Sequence, residues 1–218
     1  MRGCAATGDT FILKFTPGSV APKYSTCFGA GSRGNAITAD ASGDAYVTGM
    51  TWDSNFPTTV GALQRTTVTV TNGATSGFVA KLNNVGGLMY ATYLSGNDGG
   101  TAGMGIALNR AGEIYVAGWT YSTTFPQEPA IVPYPTAGFV AKLTPQLNAL
   151  DYVTFLGAQI NGVAIYQAHP RFLVTPTYPK VYVAGYRLTG GSTVIYEDAF
   201  VSMLDENPTI SVCCAAIP

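Results

Sequence analysis

The chain repeats itself at a long period. Phe78-Val79-Ala80-Lys81-Leu82 recurs letter for letter as Phe139-Val140-Ala141-Lys142-Leu143. Looser copies stand on either side, Phe11-Ile12-Leu13-Lys14-Phe15 and Phe200-Val201-Ser202-Met203-Leu204, so that copies begin at residues 11, 78, 139 and 200. A period of roughly 60 residues is that of stacked supersecondary units, each covering the apolar face of its neighbour.

Other phrases travel with each copy. Tyr24-Ser25-Thr26-Cys27-Phe28, Tyr90-Ala91-Thr92-Tyr93-Leu94 and Tyr152-Val153-Thr154-Phe155-Leu156 share one frame. Next come small and aliphatic segments: Asn35-Ala36-Ile37-Thr38-Ala39, Gly105-Ile106-Ala107-Leu108-Asn109 and Gly162-Val163-Ala164-Ile165-Tyr166. After a glycine turn follow Tyr46-Val47-Thr48-Gly49, Tyr115-Val116-Ala117-Gly118 and Tyr182-Val183-Ala184-Gly185. Two units close on a Phe-Pro corner, Phe56-Pro57 and Phe125-Pro126. Each unit thus holds four short runs of β-branched and aromatic residues separated by turn formers, which is the pattern of strands and hairpins. No stretch has the 3.6-residue spacing of an amphipathic helix, and the 26 glycines and 13 prolines suit many turns.

The expected fold is therefore all-β: a β-propeller-like array of four-stranded antiparallel blades, three full repeats plus a partial fourth. Phe78, Tyr90, Tyr93 and Tyr115 are expected between blades. A parallel β-helix is the alternative, though its coils are shorter than ~60 residues. Taken from the start of each Phe-Val-Ala-Lys-Leu phrase, the organisation is an N-terminal segment 1–10, repeats at 11–77, 78–138 and 139–199, and a stub at 200–218. The third repeat is divergent. Residues 168–176 replace a short turn, and 186–197 are expected to protrude as a variable loop.

Together these phrases resemble the bacterial β-propeller repeat family known as SBBP. The likeness rests on Tyr24-Ser25-Thr26, Ala36-Ile37-Thr38-Ala39-Asp40, Gly43-Asp44-Ala45-Tyr46-Val47-Thr48-Gly49 and Phe56-Pro57-Thr58-Thr59, and it covers about residues 9 to 205. The resemblance implies a part of a large bacterial or archaeal surface or secreted protein. It implies no catalytic residue set.

Propellers usually close with four to eight blades. Three blades leave two open faces, and ~400 Å² of bare apolar surface forfeits ~10 kcal/mol per face, as much as a whole domain's stability. The expected partners are further propeller repeats or other copies of the chain. A third way out is a reduced blade built from the stub and the N-terminal segment. Net charge is −1 from 11 basic and 12 acidic residues, which supplies no basic face for nucleic acid and no polybasic stretch for a membrane surface. No run of ~18 apolar residues is present to cross a membrane as a helix. Charged residues make up only 11%, far below the ~25% of ordinary domains, so partners are expected to cover part of the surface. Location at the cell surface or outside the cell would require a leader that the sequence does not show.

No set of residues reads as catalytic, as a metal site or as a cofactor site. Gly29-Ala30-Gly31-Ser32-Arg33-Gly34 has the spacing of a dinucleotide loop, but a strand and not a helix is expected next. His169 is the lone histidine and lies before Pro170 in the irregular repeat. Asp40 and Asp44 sit in a turn, where Asp is favoured for local hydrogen bonding. Pairs of carboxylates drawn from Asp40, Asp44, Asp53, Asp98, Asp151 and Asp198 stay open for hydrolytic chemistry. Calcium is the likeliest ion for such turns, although no calcium-loop pattern is present. Cys27 stands where other units have Tyr93 and Phe155, and is expected to be a small buried thiol. Cys4 could pair with it, and Cys213-Cys214 are expected to be free or paired elsewhere. Trp52 and Tyr121 each lie three residues past the Tyr-Val-x-Gly glycine, before the Phe-Pro corner, and are candidates for stacking on sugars. Tyr186 and Tyr196 join them as candidate partner-binding residues, whereas Trp119 reads as core.

Overall fold

The computed structural model describes residues 8–67, 74–126, 137–156, 159–166, 180–189, 196–205 and 213–216. Among them are strands and turns and no helix. A two-stranded ribbon, β1 (Asp9–Phe15) and β2 (Pro22–Ala30), comes first. Three four-stranded antiparallel meanders follow. The first is β3 (Ser32–Ala39), β4 (Ala45–Thr51), β5 (Ser76–Leu82) and β6 (Leu88–Leu94). The second is β7 (Thr101–Leu108), β8 (Ile114–Thr120), β9 (Ala137–Leu143) and β10 (Leu150–Leu156). The third is β11 (Gln159–Tyr166), β12 (Lys180–Thr189), β13 (Tyr196–Asp205) and β14 (Cys213–Ala216). The architecture is that of propeller blades.

The sheets run two strands out of phase with the repeat as read from the sequence. In the first two sheets the small, aliphatic phrase is the first strand, Tyr-Val-x-Gly the second, Phe-Val-Ala-Lys-Leu the third and Tyr-x-Thr the fourth; the third sheet keeps this order, with Phe200-Val201-Ser202-Met203-Leu204 in its third strand and Cys213–Ala216 as its fourth. The chain crosses to the next sheet after the Tyr-x-Thr strand, by glycine-containing links such as 95–100. β1 and β2 are therefore the third and fourth strands of a blade. The stub at 200–218 supplies the last strands of the third sheet, not a reduced blade with the N-terminal segment.

Within a sheet the turns share one construction. The Asp40 carboxylate oxygen Oδ1 accepts the N–H of Ser42 and of Asp44 at 3.0 Å each. Asn83 does the same for Val85 and Gly87, and Asn109 for Ala111 and Glu113. Gly43, Gly86 and Gly112 follow at φ +79, +86 and +80, where a side chain would be strained. All these turns lie at one rim. The cross-sheet links and Phe-Pro corners lie at the other.

Three hydrophobic clusters fill the gaps between successive sheets. Ile12, Val47, Phe56, Phe78 and Tyr93 meet between the β1–β2 ribbon and the first sheet. Tyr46, Val79, Phe125, Phe139 and Phe155 meet between the first and second. Tyr115, Val140, Leu156, Ile160 and Val183 meet between the second and third. Because each inner sheet is covered on both faces, β4, β5 and β8 are buried almost residue after residue and lack the alternation of a one-sided sheet. Phe78, Tyr93 and Tyr115 lie between sheets as expected, and Tyr90 is partly buried.

The glycine of Tyr-Val-x-Gly has a steric cause. Each first strand carries a bulge opposite it, at Gly34/Ala36, Gly103/Gly105 and Ile160/Gly162. A Cβ on Gly49 would lie 1.9 Å from the Arg33 carbonyl oxygen, and one on Gly118 would lie 2.0 Å from that of Ala102. The first strands also converge. A Cβ on Gly105 would come within 3.0 Å of Gly162 Cα. On the outside, the link after β4 covers the edge of β6. Thr59 N–H donates to Ala91 O at 3.0 Å, and Tyr93 N–H to Gln64 O at 3.0 Å, which leaves less edge free for aggregation.

Cys27 is disulfide-bonded and only partly buried. This overturns the expectation of a buried thiol. The position lies in the two-stranded ribbon, and among the described residues no sheet precedes it to enclose the side chain.

Candidate functional site

β4 and β8 run from the turn rim to the corner rim and deliver Trp52 and Tyr121 to equivalent places there. Trp52 N–H donates to Gly31 O at 2.9 Å, and Tyr121 N–H donates to Gly100 O at 2.8 Å. Thr51 Oγ1 accepts the N–H of Asp53, and Thr120 Oγ1 that of Ser122, at 3.0 and 3.1 Å. The backbone is thus fixed identically in both sheets, while both aromatic side chains stay about half exposed.

Tyr121 is further ordered by its neighbours. Its ring centroid lies 5.0 Å from that of Trp119, which is partly buried and stacks at the rim where core packing was expected. The Asp98 carboxylate accepts hydrogen bonds from the side chains of Ser122, Thr123 and Thr124 and from the N–H groups of Thr123 and Thr124. The Ser122 and Thr123 hydroxyls do most to hold this carboxyl well below the usual carboxylate range. Asp98 therefore works as the clamp of the turn that follows Tyr121.

Tyr186 and Tyr196 lie toward the same rim on the third sheet. Tyr186 is opposite Ala199, and Tyr196 is opposite Thr189. Residues 186–189 and 196–197 are strand, and the rest of the expected protruding loop, 190–195, lies outside the described residues. The ladder between β12 and β13 simply continues in register past the usual strand length. The four candidates thus gather at one rim, spread over three successive sheets.

The acidic turn residues meet at the opposite rim, and each set has a lysine partner. Lys81 Nζ lies 3.2 Å from Asp44 and 3.7 Å from Asp40, and 4.8 Å from the centre of the Tyr46 ring. Lys142 repeats this with Glu113 at 3.1 Å, Asp151 at 3.7 Å and the Tyr115 ring at 5.7 Å. Burial is the largest influence on Asp40 and acts to raise its pKa. Hydrogen bonds from Asp44 N–H and the Tyr46 hydroxyl, with the charge of Lys81, outweigh it and hold the carboxyl below its ordinary value. Burial likewise acts to lower the Lys81 ammonium, and its bonds to Tyr46 and Asp44 raise it overall. The acids are engaged by lysine and backbone partners, an arrangement suited to fixing a turn.

Between the turns 40–42 and 109–112 opens a cleft of about 710 Å³, with Leu108 and Ile165 on its walls. Nothing along the chain marks it, because it arises only where residues of three successive sheets come together. The Gly29-to-Gly34 loop leads from β2 straight into β3. His169 lies outside the described residues. Among the described residues no three His, Cys, Asp or Glu side chains are grouped to hold a metal ion.

Comparison with known families agrees with this geometry. Residues 23–57 match the family model of the SBBP beta-propeller repeat. This stretch is similar to an SBBP repeat. It begins in β2 and ends at the Phe56-Pro57 corner, so the SBBP unit as a sequence pattern straddles two sheets. No curated protein matches the chain.

Proposed function

We propose that the chain is a non-catalytic interaction scaffold of the cell surface or extracellular space, which associates with its own kind through its end faces. One observation carries this reading. Phe11, Phe78 and Phe139 hold the same place in the repeat; Phe78 packs on the ribbon before it and Phe139 on the first sheet. Phe78 and Phe139 are completely buried, whereas Phe11 is 65% exposed, with Leu13 and Phe15 exposed along the same strand. At the other end, Tyr182 is 37% exposed, although its counterparts Tyr46 and Tyr115 are buried. The interface between the first and second sheets joins a phenylalanine face, Phe139, to a tyrosine face, Tyr46, so the two bare ends are complementary. Such head-to-tail contact builds rings or open filaments. The Cys27 disulfide supports an oxidising compartment.

Light scattering of the purified chain tests the association. Concentration-dependent assembly that Phe11→Asp abolishes is expected. A well-folded monomer at high concentration would remove the claim.

The second reading is a glycan-binding module that uses Trp52 and Tyr121. Their matched backbone and exposed rings at one rim favour it, since rings of this kind stack on sugars. A glycan array should then give hits that Trp52→Ala and Tyr121→Ala lose, and hits indifferent to both variants would refute it.

A further inference from the structure

Each first strand holds one residue that its partner strand does not match. The bulges set Asn35, Met104 and Asn161 outside the ladder in successive sheets. The two asparagines are counterparts in different settings. Asn35 is partly buried, and its Nδ2 donates to the Gly103 carbonyl at 2.9 Å and to Met104 Sδ at 3.4 Å. Ala36 follows it. Asn161 is exposed, and among the described residues no hydrogen bond holds its side-chain amide. Gly162 follows it, and a Cβ there would meet nothing within 4 Å. Elsewhere asparagine side chains are occupied. Asn83 and Asn109 each accept two backbone N–H groups in their turns, and Asn148 accepts the Thr144 hydroxyl.

An asparagine amide is an electrophile for the nitrogen of the next peptide group. Ring closure needs a side chain able to swing onto that nitrogen and a next residue that puts no Cβ in the way, which is glycine. The bulge adds a third condition, since a residue outside the ladder is not held flat in the sheet. We propose that Asn161-Gly162 is a site of spontaneous covalent modification, at which the Asn161 side chain cyclises and is hydrolysed to aspartate and isoaspartate. The Gly162 nitrogen gives up its proton to water and forms a bond to Asn161 Cγ. The Cγ–Nδ2 bond breaks, Nδ2 takes up a proton from water and ammonia leaves. A succinimide ring remains, and water opens either of its carbonyl–nitrogen bonds. One opening gives aspartate. The other gives isoaspartate, in which the main chain runs through the former side-chain carbonyl. Nothing is oxidised or reduced, and water is the sole co-reactant. Asn35 is protected, because the next sheet holds its amide and the Ala36 methyl crowds the approach.

The products form where two sheets meet. A Cβ on Gly105 would lie 2.8 Å from Val163 N and 3.0 Å from Gly162 Cα, so β7 and β11 touch at this dipeptide. Ile160 beside it is buried in the cluster between the second and third sheets. Isoaspartate lengthens the main chain there by one atom, and both products add a carboxylate. The modification thus loosens this interface as the protein ages.

The purified full chain, held at mildly alkaline pH and sampled over days, tests this through the masses of its proteolytic peptides. The peptide with Asn161 should grow heavier by about one mass unit and become a substrate for an isoaspartyl methyltransferase, while the peptide with Asn35 stays unchanged. Fragment sequencing separates Asn161 from the Asn72-Gly73 pair. Gly162→Ala should slow the change about tenfold or more, because a methyl then obstructs ring closure. Asn161→Gln should stop it. The melting temperature of the wild-type chain should drift down during incubation, and that of Asn161→Gln should drift less. A folded chain that stays unmodified at Asn161 while the same chain in urea reacts would overturn the proposal, since the fold would then protect the dipeptide. Equal rates at Asn35 and Asn161 would overturn it as well.

Discussion

The ring of Phe56 lies 4.6 Å from the ring of Phe78, and their counterparts Phe125 and Phe139 lie 4.7 Å apart. The Phe-Pro corner is therefore a plug. It turns the link after the second strand back into the interior and seats its ring on the phenylalanine of the third strand. At the first corner the Tyr93 hydroxyl adds two bonds, donating to Asp53 O at 2.9 Å and accepting Phe56 N–H at 2.9 Å.

Phe56→Ala should cost about 3–5 kcal/mol of unfolding free energy in urea titrations, because it opens a cavity between two sheets. Phe56→Leu should cost clearly less. Equal losses for the two variants would show that the ring's volume is not what seals the corner.

Gly118→Ala should cost about 1–3 kcal/mol, since the added methyl meets backbone that can move only if the bulge opens. The same substitution at Gly162, where a Cβ would meet nothing within 4 Å and φ is not positive, is free of that clash. A fully stable Gly118→Ala protein would refute the steric account of the repeated glycine.

Lys81→Met should cost about 1–3 kcal/mol near neutral pH by leaving Asp40 and Asp44 without their cation. The pH dependence has a fixed sign. Asp40 has a lowered native pKa, so its contribution is complete above the ordinary carboxylate value of about 4 and drains as pH falls below it. Lys81 has a raised native pKa, so its contribution is complete below about 10.4 and drains as pH rises through the native value. The gap in stability between wild type and Lys81→Met should be level from about pH 5 to pH 10 and shrink on both sides. A gap that peaks inside that window would contradict the assignment.

Reduction should lower the melting temperature, because Cys27 is cross-linked and a disulfide typically contributes about 2–4 kcal/mol. Calorimetry with and without reductant checks this, and Cys27→Ser should melt alike under both conditions if its bond is the one that matters.

The strand language was legible in the sequence. Four β-branched and aromatic runs per period, with Asp, Asn and Gly at the turns, could be read as hairpins, and the turns 40–44 and 109–113 are built from the residues that announced them. The rim position of Trp52 and Tyr121 could be read too, since the two share a spacing from the same glycine. The phase of the sheets could not, because each hairpin looks alike along the chain and only packing shows which link crosses between sheets. The cleft beside Asp40 was equally hidden, being a product of distant segments that meet, and the sequence left Cys27 open between a buried thiol and a bond to Cys4.

Repetition along the chain by itself determined that this protein would be small antiparallel sheets leaning on one another, because periodicity and turn chemistry are local. Only the tertiary structure decided which copies of a repeated residue are covered. Phe11 and Phe78, or Ile37 and Ile106, carry nearly the same local pattern and differ in exposure because burial belongs to whatever stands across the gap.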